Sequence, residues 1–528
     1  MPSVSYLLVK NLLALVEAVP PIRDFANKWA INRVVKRARP RPHPLSTLHD
    51  YTSWDGLTDK RWSGRHLPPR PRPNPPAPEA LSTLFARKDG AQRLCPKSTC
   101  LFPAFAQYLT DGFIRTESEG FVRDASDDVA TGDPNDQTRL KRNSSNHEID
   151  LCPLYGRTRA QTHALRLKSE VIGKRGRLKS QILNDEEYAP HYYKDGAVDP
   201  QFAVLDPPLG QSNLGPGRLA RLFAFGGDRA NSVPQVAMMN TVFLREHNRL
   251  AANIEAAHPE WNDERVFQTA RNTVIVLFIK IVIEDYINHI SPLPFTIRAD
   301  PTVAWDAPWN KPNWITTEFS LLYRWHALIP DQITWNGVAR PVGATFMDNK
   351  LLTDQGLLQG FAQMSGQQAA ELGPRNTAEP LLQIEIDSIK QDRFCELASY
   401  SDYCDYLGIN RPYSMDAISS DPEVAALLRE FYGHPRDVDF HVGLFCEDRV
   451  ANSPLPGLIL SFVALDAFSQ ALTNPLLSRE VFKPATFSDV GWHAIGATSG
   501  IRDVVDRNVA GGAGDTFIGF TRADWQPQ

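Results

Sequence analysis

The stretch DERVFQTARNTVIVLFIKIVIEDYINHI, residues 263–290, limits what this chain can fold into more than any other segment. Its charges gather toward the ends, and its middle is apolar on nearly every side. A helix of that kind belongs in the centre of a large α-helical protein. No stretch of the chain reaches the roughly 18 to 20 consecutive apolar residues of a membrane span. A second helix is predicted over TVFLREHNRLAANIEA (241–256), where Phe243, Leu244, Leu250 and Ala251 recur at helical spacing. Strand signals are few and short. There is no internal repeat, no glycine-rich phosphate loop and no GxSxG nucleophile turn. The expected fold class is mainly α, one large helical domain. At 528 residues and 42% hydrophobic, the chain has ample material for such a core.

The flanking organisation is also legible. Val4 to Val19 is mostly apolar, and after Pro20-Pro21 the chain turns basic, with Arg33, Lys36, Arg37, Arg39 and Arg41 and no acid among them. This is the pattern of an interfacial anchor on an anionic membrane face, or of a helix packed on the body with a solvated basic linker. The start has no basic n-region and no small-residue cleavage site, so no secretory signal is expected. The location implied is cytoplasmic or peripheral to a membrane. LPPRPRPNPPAP (67–78) can be neither helix nor central strand and reads as an extended connector. Residues 117–147 are polar and rich in Asp, Asn and Ser, and read as a loop. The division expected is 1–45 as an apolar and basic segment, 46–80 as connector and 81–528 as the catalytic body. A net charge of -5 gives no basic field, so nucleic acid is not an expected partner. Six cysteines are too sparse for a disulfide scaffold and lack zinc spacing, and read as reduced and structural.

TTEFSLLYRWHALIPD (316–331) carries the chemistry. Tyr323 and His326 are three residues apart, which on a helix puts both on one face, one turn apart. A neutral imidazole is a common haem-iron ligand. A phenol beside it can lose an electron to an oxidised haem and then abstract hydrogen as a radical. Taken alone, a helical His near a Tyr and a Trp is more often a satisfied core histidine. His247 and Glu246, in REHNR, read as paired structural groups. His441, near Cys446 and Glu447, fits no strong metal motif.

LLYRWHALIPD resembles the proximal-helix signature of the cyclooxygenases and related fatty-acid dioxygenases, within the animal-type haem peroxidase superfamily. NTVFLREHNRLA (240–251) is similar to that superfamily's REHNR helix. HPEW (258–261), FIKIVIEDY (278–286), DYTSWDGL (50–57), FAQYLTDGFIRT (105–116), IDLCPLYG (149–156), RPYSMDAIS (411–419), VGLFCED (442–448) and NPLLSREVFKPATF (474–487) resemble further family blocks, in the family's order. Together they span roughly residues 50 to 500.

The resemblance implies a haem peroxidase-like helical fold. His326 matches the proximal iron ligand and Tyr323 the radical tyrosine. Trp325 and Leu322 match neighbours lining the haem and substrate channel. On the distal side, Gln107 matches the family's Gln, but Asp111 stands where the distal His is expected. A distal His acts on bound peroxide as base and then acid. An exposed Asp is a poor acid at neutral pH unless burial raises its pKa. The other reading of Asp111-Gly112 is a local turn with the carboxylate pointing away. Arg229, in FGGDRANSVP (225–234), matches the peroxidases' distal arginine, the alternative being a pairing with Asp228 or a surface acid. Thr110 and Ser232 occupy the positions of ester-forming carboxylates, so the haem implied is b-type, with its iron, held non-covalently. The substrate-carboxylate clamp carries over poorly: Arg33 and Arg37 are the arginine candidates, and Met347 stands at the tyrosine position.

The activity implied is insertion of O2 into an unsaturated fatty acid or similar lipid, with a membrane surface as a further partner and a homodimer left open. The alternatives are a peroxidase or peroxide-rearranging enzyme acting at the haem itself, and a haem-binding protein without catalysis.

Overall fold

The computed structural model describes residue 13 and residues 16–35, 62–115, 141–145, 147–311 and 314–524. Arg37, the DYTSWDGL block and most of the 117–147 loop lie outside the described residues. The architecture is mainly α-helical, and the only sheets among the described residues are four two-stranded ones.

Two long helices make the centre. Helix α3 runs Pro234–Ala257 and α4 runs Asp263–Ile281, with α4 continuing through a π-helical turn at Val282–Ile287 to Ile290. Both starts have local causes. Pro234 sits in the first turn of α3, where its missing N–H costs nothing. The Asn262 side chain accepts from the Arg265 N–H to cap α4, and Asp263 and Glu264 complement the helix dipole. Helix α4 is long and apolar enough to cross a membrane, but 78% of its most apolar window is buried inside the protein. It is the core helix that its all-round apolar pattern predicts. The helices α2 (Leu101–Asp111), α9 (Pro484–Gly496) and α10 (Ile501–Asn508) pack on this pair.

Two buried titratable groups on α3 are paired. Glu246 accepts from Arg249, Arg507 and Asn508 at 2.7–2.9 Å. His247 bonds Tyr155 at 2.9 Å and the Gly176 carbonyl at 2.8 Å, and burial lowers its pKa to about 3. Both are structural groups.

The Pro-rich stretch forms no helix or strand. It lies along helix α6 (Leu382–Phe394): Arg70 N–H donates to Glu396 O at 2.9 Å, Arg393 to Pro76 O at 2.6 Å, and Arg72 pairs with Asp392 and Asp439. At the front of the chain, helix α1 (Pro20–Val35) is fastened through one polar edge. Asn27 exchanges bonds with the Arg298 backbone at 3.1 and 3.2 Å, and Trp309 donates to Asn32 at 2.9 Å. This helix packs against a π-turned helix, α8 (Gly457–Leu472).

Candidate active site

Helix α5 (Thr317–Leu322) begins with a Thr316 side-chain cap and ends sooner than its sequence predicts. Tyr323 is already its C-cap, residues 323–325 leave the helix, and His326 opens a short 3-10 turn to Leu328. The expected regular turn between Tyr323 and His326 is therefore corrected. The physical reason lies on α6, where two side chains draw this segment out of register: Arg324 donates to Gln391 at 3.2 Å and His326 Nδ1 meets Glu385 Oε1 at 3.3 Å. Trp325 instead folds back onto Tyr323, with ring centroids 4.6 Å apart and planes at 26°. Leu322 is fully buried beside them.

The His326 side chain keeps 22% of its surface accessible, whereas Glu385 keeps 2%. The ring is held from the carboxylate side and open elsewhere, and Nε2 is the nitrogen that Glu385 does not engage. Burial alone would raise the Glu385 pKa, but hydrogen bonds from His326 and His441 overcome it and hold it at about 2. Glu385 was not singled out from the sequence. Its one signal is that Glu385, Ser388 and Asp392 recur at helical spacing and are the buried polar face of α6, an inversion of the usual pattern.

Tyr323 is packed edge-on against Phe319 at 5.0 Å. Burial raises its pKa, and Asp466 raises it further against an opposing influence of Tyr286. The Tyr323 and Tyr286 hydroxyls are near enough to perturb one another, yet neither makes a hydrogen bond of ordinary geometry. Tyr286 comes from the π turn of α4 and stacks on Trp325 at 6.5 Å and 18°. Asp466, on the π turn of α8, bonds His66 at 2.9 Å. Tyr286, His66 and Asp466 escaped sequence reasoning because each is placed by a different element.

Gln107, Asp111 and Arg229, the residues expected on the distal side, occupy neighbouring places. Gln107 and Asp111 share a face of α2, and Gln107 donates to Ser232 at 2.7 Å. Asp111 is 6% exposed, lies 3.7 Å from Arg229, and its Oδ2 has no hydrogen-bond partner. Burial raises its pKa to about 6, against the pull of Arg229. The carboxylate therefore does not point away into solvent as in a surface turn. Arg229 does not pair with Asp228 in close contact, because Asp228 is held by Arg115 at 3.1 Å, with Arg157 at 3.6 Å. The loop bearing Arg229 reaches this place by a close backbone approach: a Cβ on Gly226 would stand 2.2 Å from the Gly156 nitrogen. Burial lowers the pKa of Arg324, between Tyr323 and His326, to about 10, with smaller influences from the charges of Arg229, Glu385, Arg115 and Asp111.

Of the candidates for the carboxylate clamp, Arg37 lies outside the described residues, and Arg33 and Met347 stand in unlike surroundings. Arg33 is exposed, with its guanidinium over Trp29 at 5.5 Å. Met347 is buried, and its N–H donates to the Ser232 carbonyl on the Gln107 side. An exposed cation and a buried thioether cannot grip one carboxylate. Thr110 bonds back to its own helix at Ala106 O. With Ser232 accepting from Gln107, both ester positions carry hydroxyls rather than carboxylates.

These residues fit a haem: an imidazole with one nitrogen anchored by Glu385 and the other not engaged by it, and a buried Asp111 carboxylate oxygen without a partner. The chain matches the animal haem peroxidase family over residues 88–511. It is 29% identical over 491 residues to prostaglandin G/H synthase 2 of Bos taurus, covering 89% of this chain and 74% of that protein. It is 30% identical over 488 residues to prostaglandin G/H synthase 1 of Canis lupus familiaris, covering 88% and 74%. Its fold superposes on the crystal structure of Oryza sativa fatty acid alpha-dioxygenase with a TM-score of 0.66 at 18% identity, covering 96% of this chain and 95% of that one. The chain belongs to the animal haem peroxidase family, on its cyclooxygenase-like branch.

Proposed function

We propose that this protein is a haem-dependent dioxygenase that inserts O2 into an unsaturated fatty acid or similar lipid, with Tyr323 as the hydrogen-abstracting group. The observation that carries the reading is the Tyr323–Trp325–His326 arrangement: a half-buried tyrosine whose buried hydroxyl makes no ordinary hydrogen bond, stacked on the indole next to the half-buried imidazole. His326 would hold a non-covalent b-type haem, with Trp325 and Leu322 beside it. When bound, the haem supplies one-electron oxidising power drawn from peroxide. Tyr323 as a phenoxyl radical takes a hydrogen atom from an activated C–H bond. O2 adds to the carbon radical, and the peroxyl radical recovers hydrogen from Tyr323 to leave a lipid hydroperoxide and the radical. The apolar packing of Phe319, Trp325 and Leu322 keeps water and soluble reductants away from the phenol. The prostaglandin synthase and alpha-dioxygenase relatives support the lipid substrate class.

Gln107, Asp111 and Arg229 would face peroxide, with Arg229 supplying charge-assisted hydrogen bonds. Asp111 in place of a distal His makes peroxidase turnover the minor activity.

The body at 81–528 would carry the chemistry, with 46–80 as connector and 1–45 as a membrane-facing segment. Helix α1 presents Ile22, Phe25 and Trp29, which are 50%, 71% and 57% exposed, and Val19 just before it is 43% exposed. A fatty substrate reaches such a protein from a lipid surface. The deciding experiment is O2 uptake by haem-loaded protein over a panel of fatty acids, wild type against Tyr323→Phe. Uptake that survives the Phe substitution refutes the role of Tyr323.

A further inference from the structure

Glu385 receives three hydrogen bonds from three separate parts of the chain. His326 Nδ1 and Thr377 Oγ1 reach Oε1 at 3.3 and 3.2 Å, and His441 Nε2 reaches Oε2 at 3.3 Å. Glu385 and His441 are both buried, at 2% and 0% side-chain exposure. Helix α6 supplies the carboxylate, and helix α7 (Phe440–Cys446) supplies His441. His441 stacks on Phe85 at 5.7 Å, and its Nδ1 has no partner, so the ring is placed to donate through Nε2 alone. A buried carboxylate among three donors stays an anion, and its charge sits directly behind His326.

We infer that Glu385 is a positioning residue that fixes His326 as the Nδ1–H tautomer, aims Nε2 at the iron, and makes the imidazole a stronger donor. The inference rests on the reading of His326 as the haem ligand. A carboxylate on the far nitrogen of a metal-bound histidine orients the ring and raises its basicity. Stronger donation favours ferric over ferrous iron. Thr377 and His441 moderate the effect, because each draws some of the carboxylate's accepting power away from His326.

The test uses full-length, haem-loaded protein and two readouts other than turnover: the ferric–ferrous midpoint potential and the iron–histidine stretching frequency of the ferrous form. Glu385→Gln is expected to shift the one-electron equilibrium about tenfold toward ferrous, about 59 mV upward. It should also lower the stretching frequency and weaken haem affinity about 10–100-fold. Glu385→Asp should recover part of each change. Thr377→Val removes a competing donor, so it should move the potential the opposite way, downward, and a merely structural role for Glu385 gives no such reversal of sign. If Glu385→Gln does not fold, the sign of the Thr377→Val shift decides alone. Unchanged potentials and frequencies in the folded variants overturn the inference while leaving His326 as ligand. His326→Ala that keeps the wild-type Soret band and iron–histidine stretch overturns the ligand reading itself, and the Glu385 inference with it.

Discussion

Trp325 lies over Tyr323 with ring centroids 4.6 Å apart and planes 26° from parallel, and the Tyr323 hydroxyl, buried among aromatic rings, makes no ordinary hydrogen bond. Phe at position 323 preserves that stack and removes only the oxygen. Tyr323→Phe should fold, keep its haem and its Soret band, and lose lipid oxygenation. Peroxide should raise a tyrosyl radical signal in electron paramagnetic resonance of the wild type that is missing in the mutant. An equal signal in both would transfer the radical to another residue.

Asp111 titrates at about 6 because burial opposes its charge. Its basic form, needed to take a proton from peroxide, is present above that value. Peroxide-dependent dye oxidation should therefore fall as the pH drops through about 6, and Asp111→Asn should abolish the inflection. Asp111→His should raise the rate at neutral pH, since a positioned general acid–base group contributes about 10²–10⁴-fold. A folded, haem-loaded His variant with no gain argues against Asp111 facing the iron.

Asp228 lies between Arg115 and Arg157 with its side chain 8% exposed. Removing one partner of a buried ion pair costs about 3–5 kcal/mol. Asp228→Ala should lose stability of that order in urea unfolding. Asp228 also raises the Asp111 pKa, so the gentler Asp228→Asn should move the Asp111 inflection to lower pH. An inflection that does not move would mean the two carboxylates are electrostatically independent.

Phe25 and Trp29 sit one turn apart on the outward face of α1. The double variant Phe25→Ser, Trp29→Ser should release the protein from anionic phospholipid vesicles in a flotation assay, with oxygenation of dispersed fatty acid retained. Deleting residues 1–40 should do the same. Wild-type protein that fails to float with the vesicles would disprove the membrane contact.

Some of this protein was settled by local chemistry that its sequence displays. The all-round apolar middle of 263–290 can only be satisfied in a core, and the structure puts α4 there. Asn262 and Pro234 mark helix starts because capping and the N1 position act within one turn. The residues expected at the active centre, Tyr323, His326, Gln107, Asp111 and Arg229, are named by motif, and the structure brings Asp111 within 3.7 Å of Arg229.

Other features were decided only when distant segments met. The end of α5 at Leu322 follows from Gln391 and Glu385 holding Arg324 and His326, 67 and 59 residues away along the chain. Glu385, His441 and Thr377 form one hydrogen-bonded group although three different segments supply them. Whether Arg229 faces Asp111 or Asp228 depended on Arg115, 113 residues from Asp228, taking the second carboxylate. Periodicity reports which face of an element is apolar. It carries no information about which buried charge on one element meets which donor on another, because that choice is made by packing and by the cost of leaving a buried polar group unpaired.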